Sequence, residues 1–113
     1  MDPVMDTNVL CLLDAVPDGG ARVIEREPGI IVVRREQQVW AYINRCPHFS
    51  IPLDFEPGTI CTYDAEVMMC AHHSALFRFS DGLCIDGPCR DSRLSSVEVE
   101  VVRGEVCLRA PGE

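Results

Sequence analysis

The sequence predicts an all-β domain, and three of its features support that prediction. Segments rich in Val, Ile and aromatic residues are short and end at Gly, Pro, Asn or Asp, which is typical of strands joined by turns. The run from Val97 to Val101 alternates Val with Glu, the two-residue period of a half-buried strand. No window has a convincing helical period. We therefore expect both ends of the chain to form a β framework around a loop-rich insert.

The strands are predicted in order along the chain. Four come from the N-terminal part, with turn residues between them: Val9–Leu13, Arg22–Glu25, Ile30–Arg35 and Val39–Asn44. The middle is rich in Pro and Gly and leaves room only for short strands: Glu66–Cys70, Ala75–Phe79 and Leu83–Ile85. The C-terminal part predicts a hairpin with Arg103-Gly104-Glu105 as its turn: Val97–Val101 and Val106–Arg109.

Length and composition limit the function classes. The 113 residues predict one domain spanning residues 1–113, and a hydrophobic fraction of 47% excludes a disordered chain. The longest apolar runs, Val9–Leu13 and Ile30–Val33, are far shorter than the ~20 residues of a membrane span. Met1-Asp2-Pro3 lacks the positive start of a secretory signal, so we expect a cytoplasmic protein without a membrane partner.

The charge balance argues against a nucleic-acid partner. Ten Arg and no Lys oppose eighteen Asp and Glu, which gives a net charge of −8. Phosphate binding needs a basic stripe, and none is present. The acidic balance serves solubility, or it steers the chain toward a basic protein partner.

Seven cysteines are the unusual feature of the composition, and two of them lie in short motifs that also contain His. Cys46-Pro47-His48 and Cys70-Ala71-His72-His73 each combine Cys with His, and 21 residues separate His48 from Cys70. Two thiolates and two imidazoles hold either a tetrahedral zinc ion or a [2Fe–2S] cluster. Zinc fingers generally keep their two Cys on one turn and their two His on another. One Cys and one His from each loop instead favour a cluster with thiolates on one iron and imidazoles on the other.

With these motifs the sequence resembles the Rieske iron–sulfur proteins. The resemblance extends through Ala75-Leu76-Phe77, Asp81-Gly82 and Gly87-Pro88, which are similar to the segment after the second cluster loop and to the proline loop. It implies the Rieske fold, an antiparallel β-sandwich or barrel base with a small loop-rich cluster-binding subdomain at about residues 45–91. The sequence departs from the family pattern at Ser74 and at Phe49-Ser50, and neither departure removes a ligand.

The resemblance also implies the cofactor and its ligands. One [2Fe–2S] cluster per chain is expected on Cys46, His48, Cys70 and His73, while His72 is expected to be a neighbour of the cluster. Respiratory members carry an additional Cys in each loop, and this chain has Ile51 and His72 at those positions. Their Ser and Tyr, whose hydroxyls donate to sulfur, correspond here to Ala75 and Phe77. Losing both donors implies a low reduction potential, as in the ferredoxins of ring-hydroxylating oxygenases.

The expected function is that of a soluble one-electron carrier rather than an enzyme. A mononuclear iron site of two His and a carboxylate cannot be built, because three His are present and the cluster takes two. The implied partners are a flavoprotein reductase and an oxygenase or another redox protein. Two alternatives remain open: a Rieske-like small subunit or accessory module of a larger redox enzyme such as a nitrite reductase, and a structural zinc protein.

The remaining cysteines are expected to have structural roles. Cys11 and Cys107 lie on predicted strands and Cys61 on a loop, and all three are interpreted as small buried hydrophobic residues. Cys84 and Cys89 flank the Gly87-Pro88 turn, and we expect two thiols there rather than a disulfide.

Overall fold

The computed structural model describes residues 9–26, 29–45, 53–54, 60–70, 75–87 and 90–109. Within these ranges the chain forms eleven strands and one 3-10 turn, Leu13–Ala15. The strands are β1 Val9–Leu12, β2 Ala21–Ile24, β3 Ile30–Arg35, β4 Gln38–Ile43, β5 Cys61–Tyr63, β6 Val67–Cys70, β7 Ala75–Arg78, β8 Cys84–Asp86, β9 Ser96–Val97, β10 Val99–Val102 and β11 Glu105–Leu108. In the described part of the chain, no helix has the length and apolar character needed to cross a membrane.

The strands form three antiparallel sheets. Sheet A has the order β1-β11-β10, sheet B β2-β3-β4-β9 and sheet C β5-β6-β7-β8. Sheets A and B combine strands from both ends of the chain, whereas sheet C comes from the middle. The prediction of an all-β fold built from antiparallel sheets is confirmed.

Strand β3 divides the interior into two cores. Its side chains alternate, so Ile31 and Val33 face one core while Ile30 and Val32 face the other. The first core joins sheet B to sheet C and is lined by large buried side chains, including Tyr42, Leu53, Met68, Phe77 and Phe79. The second joins sheet B to sheet A around Leu13, Val16, Ala41 and Val106. Each fully buried Val, Ile or Phe contributes roughly 1.5–3 kcal/mol by leaving water, so the two cores hold the three sheets together.

The predicted strand Val97–Val101 is wrong as a single element, because the chain changes sheets at Glu98. β9 pairs with β4 in sheet B, and β10 pairs with β11 in sheet A. The Glu98 carbonyl at the break accepts a hydrogen bond from the Arg109 N–H at 3.0 Å. The two-residue alternation persists through the break, since Val97 and Val99 both pack against the second core. Alternation in the sequence therefore gave no sign of the change of sheet.

The interpretation of Cys61 is also wrong. This residue is exposed and lies on β5, a strand that the sequence did not predict. β5 has only three residues and lies at the edge of sheet C, where β6 is its one partner among the described strands. An edge strand needs no apolar alternation on its solvent side, so its sequence carries a weak signal. Cys11 and Cys107 are half-buried.

Sheet C is attached to the base by Tyr42 of β4. The buried Tyr42 hydroxyl donates a hydrogen bond to the Phe79 carbonyl at 2.5 Å. Burial raises the pKa of this phenol, and the nearby Asp81 carboxylate raises it further. The Tyr42 ring also packs on Gly82, where an added Cβ would lie 2.8 Å from the ring. These contacts fix the β7–β8 turn of sheet C on the base.

Candidate metal centre

Cys70 is the proposed ligand that the structure describes. It is the last residue of β6 and is fully buried. Cys46, His48 and His73, together with His72, lie outside the described residues. Among the residues that are described, no group of three or more His, Cys, Asp or Glu side chains could hold a metal ion. The place of the site in the fold is therefore given by the described residues on either side of the ligand-containing segments.

The second ligand loop is bounded by a strand pair. Cys70 is the register partner of Ala75, which is the first residue of β7 and is also fully buried. The segment 71–74, which contains His73, connects these two paired positions. The hairpin therefore brings the chain on both sides of this segment to one end of sheet C.

Asn44 forms two hydrogen bonds that connect the two ends of the segment containing Cys46 and His48. Its Oδ1 accepts the Leu53 N–H at 2.8 Å, and its Nδ2 donates to Asp54 Oδ1 at 2.9 Å. Leu53 is fully buried in the same core as Cys70 and Ala75. The end of the first loop and the start of the second therefore belong to one packed unit.

Sequence reasoning did not identify Asn44. Its partners lie nine and ten residues further along the chain, and the composition of the intervening segment does not predict these hydrogen bonds. The available signal was the residue type, because an Asn side chain combines a donor and an acceptor and often fixes local backbone turns.

The loop after β8 approaches the same sheet end. Gly87 has a φ of +103°, and a Cβ added to it would lie 2.7 Å from the Ala75 Cα. Glycine is therefore required at this position by both backbone conformation and space. Cys84 is buried on β8, and its Sγ donates a hydrogen bond to the Asp86 carbonyl at 3.2 Å. Cys89 lies outside the described residues, so the expectation about its thiol stays a prediction.

The surroundings of Cys70 fit an iron–sulfur cluster. A buried thiol at the end of a strand is a suitable thiolate donor, and the close approach of Gly87 to Ala75 leaves no room for a side chain at position 87. Ala75 and Phe77 are fully buried on the same face of β7, and neither carries a hydroxyl. These two residues therefore offer no side-chain hydrogen bond to sulfur.

Several known structures are similar in fold to this chain. A chain from the complex of reduced oxygenase and oxidized ferredoxin in carbazole 1,9a-dioxygenase is 27% identical, with 88% of this chain and 89% of that chain covered and a TM-score of 0.73. The Sphingomonas yanoikuyae B1 ferredoxin is 24% identical, with 91% and 97% covered and a TM-score of 0.73, a likeness in fold.

A third neighbour is a much longer chain. It comes from the reduced complex between oxygenase and ferredoxin in carbazole 1,9a-dioxygenase, with 16% identity and a TM-score of 0.74. The match covers 88% of this chain but only 27% of that one, so our chain spans about a quarter of its length.

The family is established by sequence. No curated protein sequence matches the chain. The model of the Rieske [2Fe-2S] domain, however, matches residues 6–103, a range that includes both Cys/His motifs, the hairpin of Cys70 and Ala75, and Gly87. The chain therefore belongs to the Rieske [2Fe–2S] domain family, whose cofactor is one [2Fe–2S] cluster.

Proposed function

We propose that this protein is a one-electron carrier whose [2Fe–2S] cluster is held by Cys46, His48, Cys70 and His73. The observation that carries the proposal is the family match over residues 6–103, which contains all four ligands. The two thiolates would bind one iron and the two imidazoles the other. When bound, the cluster supplies reversible one-electron reduction. The protein would supply the ligands, and the close approach of Gly87 to Ala75, the register partner of Cys70, would help to exclude water there.

The environment of Cys70 supports a low reduction potential. Hydrogen bonds to sulfur stabilise the reduced cluster and raise the potential. Ala75 and Phe77 are buried beside this end of sheet C and provide none. The net charge of −8 also disfavours adding an electron. We therefore place the potential in the lower third of the Rieske range, roughly −150 to 0 mV.

We propose an oxygenase as the electron acceptor and a flavoprotein reductase as the donor. The neighbour with 27% identity comes from a complex of an oxygenase with a ferredoxin, and it matches this chain over most of both lengths. An acidic carrier would meet a basic patch on either partner, where complementary charge increases the association rate more than the affinity. Transfer of electrons between such proteins is expected in the cytoplasm.

We further propose that residues 1–113 form one Rieske domain with no catalytic iron of its own. Sheet C, which spans residues 61–86, supports a cluster-binding subdomain at about residues 45–91. The sequence has three His, and the cluster would use two of them. One His is insufficient for a mononuclear site of two His and a carboxylate.

Protein-film voltammetry of the purified protein tests the proposed function. We expect one reversible one-electron wave with a midpoint of roughly −150 to 0 mV. A midpoint above roughly +100 mV, in the upper part of the Rieske range, would contradict the role of a low-potential ferredoxin.

A further inference from the structure

Asn44 bridges the two ends of the segment that contains the first two proposed ligands. It follows β4 directly, and its backbone N–H donates to the Gly29 carbonyl at 2.9 Å. Its side-chain oxygen accepts the Leu53 N–H at 2.8 Å, and its amide nitrogen donates to Asp54 at 2.9 Å. The side chain thus contacts the chain beyond residue 52 through an acceptor and a donor at once.

The bridge is anchored at both ends. On one side, Asn44 is attached to the end of β4, whose Tyr42 is buried in the first core. On the other side, Leu53 is fully buried in that core, together with Cys70. The two hydrogen bonds therefore fix the ends of the segment with respect to Cys70.

Loss of the Asn44 side chain would remove the acceptor of the Leu53 N–H and the amide donor to Asp54. The Leu53 N–H and the Asp54 carboxylate are only partly exposed, so water would replace the lost partner incompletely. The distance between the two chain ends would then be less tightly fixed, whereas the buried Leu53 side chain and the β4 backbone would keep their own contacts. An effect of this kind changes the geometry offered to a metal centre more than the stability of the fold.

We propose that Asn44 is a positioning residue for the cluster, acting through Leu53 and Asp54 on the loop that carries Cys46 and His48. The inference rests on the proposed function, since it takes those two residues as ligands. Asn44 itself is not a ligand in this proposal. Residues that orient metal ligands typically change metal retention by roughly ten- to a hundredfold when they are replaced.

The test follows cluster loss from the full-length holoprotein after addition of an iron chelator, by visible absorbance and by EPR of reduced samples. We expect Asn44→Ala to lose its cluster roughly ten- to a hundredfold faster than the wild type. Asp54→Asn keeps an acceptor oxygen for the Asn44 amide, so its effect should be small. Asn44→Asp places two carboxylates opposite each other and should be at least as defective as Asn44→Ala.

The exchange of the two side chains provides the rescue. In the double variant Asn44→Asp with Asp54→Asn, the carboxylate at position 44 accepts the Leu53 N–H and the amide at position 54 donates to it. We expect this variant to retain its cluster longer than Asn44→Asp alone, with the wild-type EPR line shape. A double variant no better than Asn44→Asp alone would overturn the proposal.

A second control separates positioning from simple loss of stability. Gly104→Ala strains the β10–β11 turn, at a φ of +78°, and the added Cβ would have no described atom within 4 Å beyond its chain neighbours. It should lower the melting temperature without faster cluster loss. Equal cluster loss in Gly104→Ala and Asn44→Ala would contradict a specific role for Asn44. Cluster loss in Asn44→Ala at the wild-type rate would also contradict that role. A wild-type protein that holds no cluster at all would instead overturn the proposed function, and this inference with it.

Discussion

Cys70 and Ala75 are register partners at the end of β6 and β7, and both side chains are fully buried. This pairing brings a proposed thiolate ligand next to a residue that lacks a hydroxyl. Phe77 follows on the same face of β7 and is equally buried. The chemistry of this strand face therefore determines how much hydrogen bonding the sulfur atoms receive, and it is open to direct test.

Replacing Phe77 with Tyr is predicted to raise the reduction potential. A tyrosine hydroxyl that reaches a sulfur would stabilise the reduced cluster. A hydrogen bond that favours the reduced state by roughly 0.5–1.5 kcal/mol corresponds to about 20–65 mV for one electron. Voltammetry of the variant measures the shift. Phe79→Tyr is the matched control, because Phe79 is also fully buried but lies beyond β7, further from Cys70. A similar shift in both variants would mean that the hydroxyl of residue 77 does not reach sulfur.

Gly82→Ala is predicted to destabilise the fold more than Gly104→Ala. Both glycines have positive φ, +72° and +78°, so each substitution carries a backbone cost of about 1–2 kcal/mol. At Gly82 the new Cβ would also lie 2.8 Å from the Tyr42 ring, which adds about 1–3 kcal/mol of overpacking. At Gly104 no atom of the described residues, apart from its chain neighbours, lies within 4 Å of the added Cβ. Urea unfolding measures the loss of unfolding free energy in each variant. Equal losses would show that the Tyr42 ring moves aside without a cost in stability.

Tyr42→Phe is predicted to lower the free energy of unfolding by about 1–3 kcal/mol, because the buried Phe79 carbonyl loses its donor. Tyr63→Phe is the control. That hydroxyl belongs to an exposed side chain, so its removal should cost no more than about 0.5 kcal/mol. Chemical unfolding at neutral pH measures both effects.

The same residue predicts the alkaline pH dependence of stability. Burial raises the pKa of Tyr42 in the folded state above the ordinary tyrosine value of about 10, so the unfolded chain ionises first. The stability from this group is complete below that value and is lost as the pH rises above it. Tyr42→Phe should therefore show a shallower decline of stability above pH ~10 than the wild type. If the free energy of unfolding declined equally steeply with pH in both proteins, the burial of the Tyr42 phenol would be contradicted.

The sequence predicted much of the β framework because core strands leave strong signals. Ile30–Arg35 was predicted with the bounds that β3 has, since four consecutive buried residues serve two cores. The break at Glu98 was not predicted, because a strand that changes sheets keeps its alternation. The bridging role of Asn44 was also missed, since hydrogen bonds to Leu53 and Asp54 leave no periodic pattern.

The candidate site was accessible from sequence for a chemical reason. Metal ligands are restricted to a few residue types, and their spacing along the sequence indicates which segments carry them. The structure adds the burial of Cys70 and its pairing with Ala75. It also adds the close approach of Gly87, which depends on tertiary contact and cannot be inferred from spacing.

Substitutions of the two adjacent histidines test the ligand assignment. His73→Ala is predicted to abolish the [2Fe–2S] cluster, because one iron would lose one of its two imidazoles. His72→Ala is predicted to keep the cluster, since residue 72 is assigned as a neighbour. Iron content and visible absorbance of the two purified variants compare them. The opposite pattern would show that the assignment of His72 and His73 is reversed.

The most direct test of the central claim is the EPR spectrum of the dithionite-reduced protein, recorded with its iron, sulfide and zinc content. A [2Fe–2S] cluster on two Cys and two His requires a rhombic signal of the Rieske type, with two irons and two acid-labile sulfides per chain. A colourless protein with one zinc ion per chain, no iron and no EPR signal would contradict the central claim.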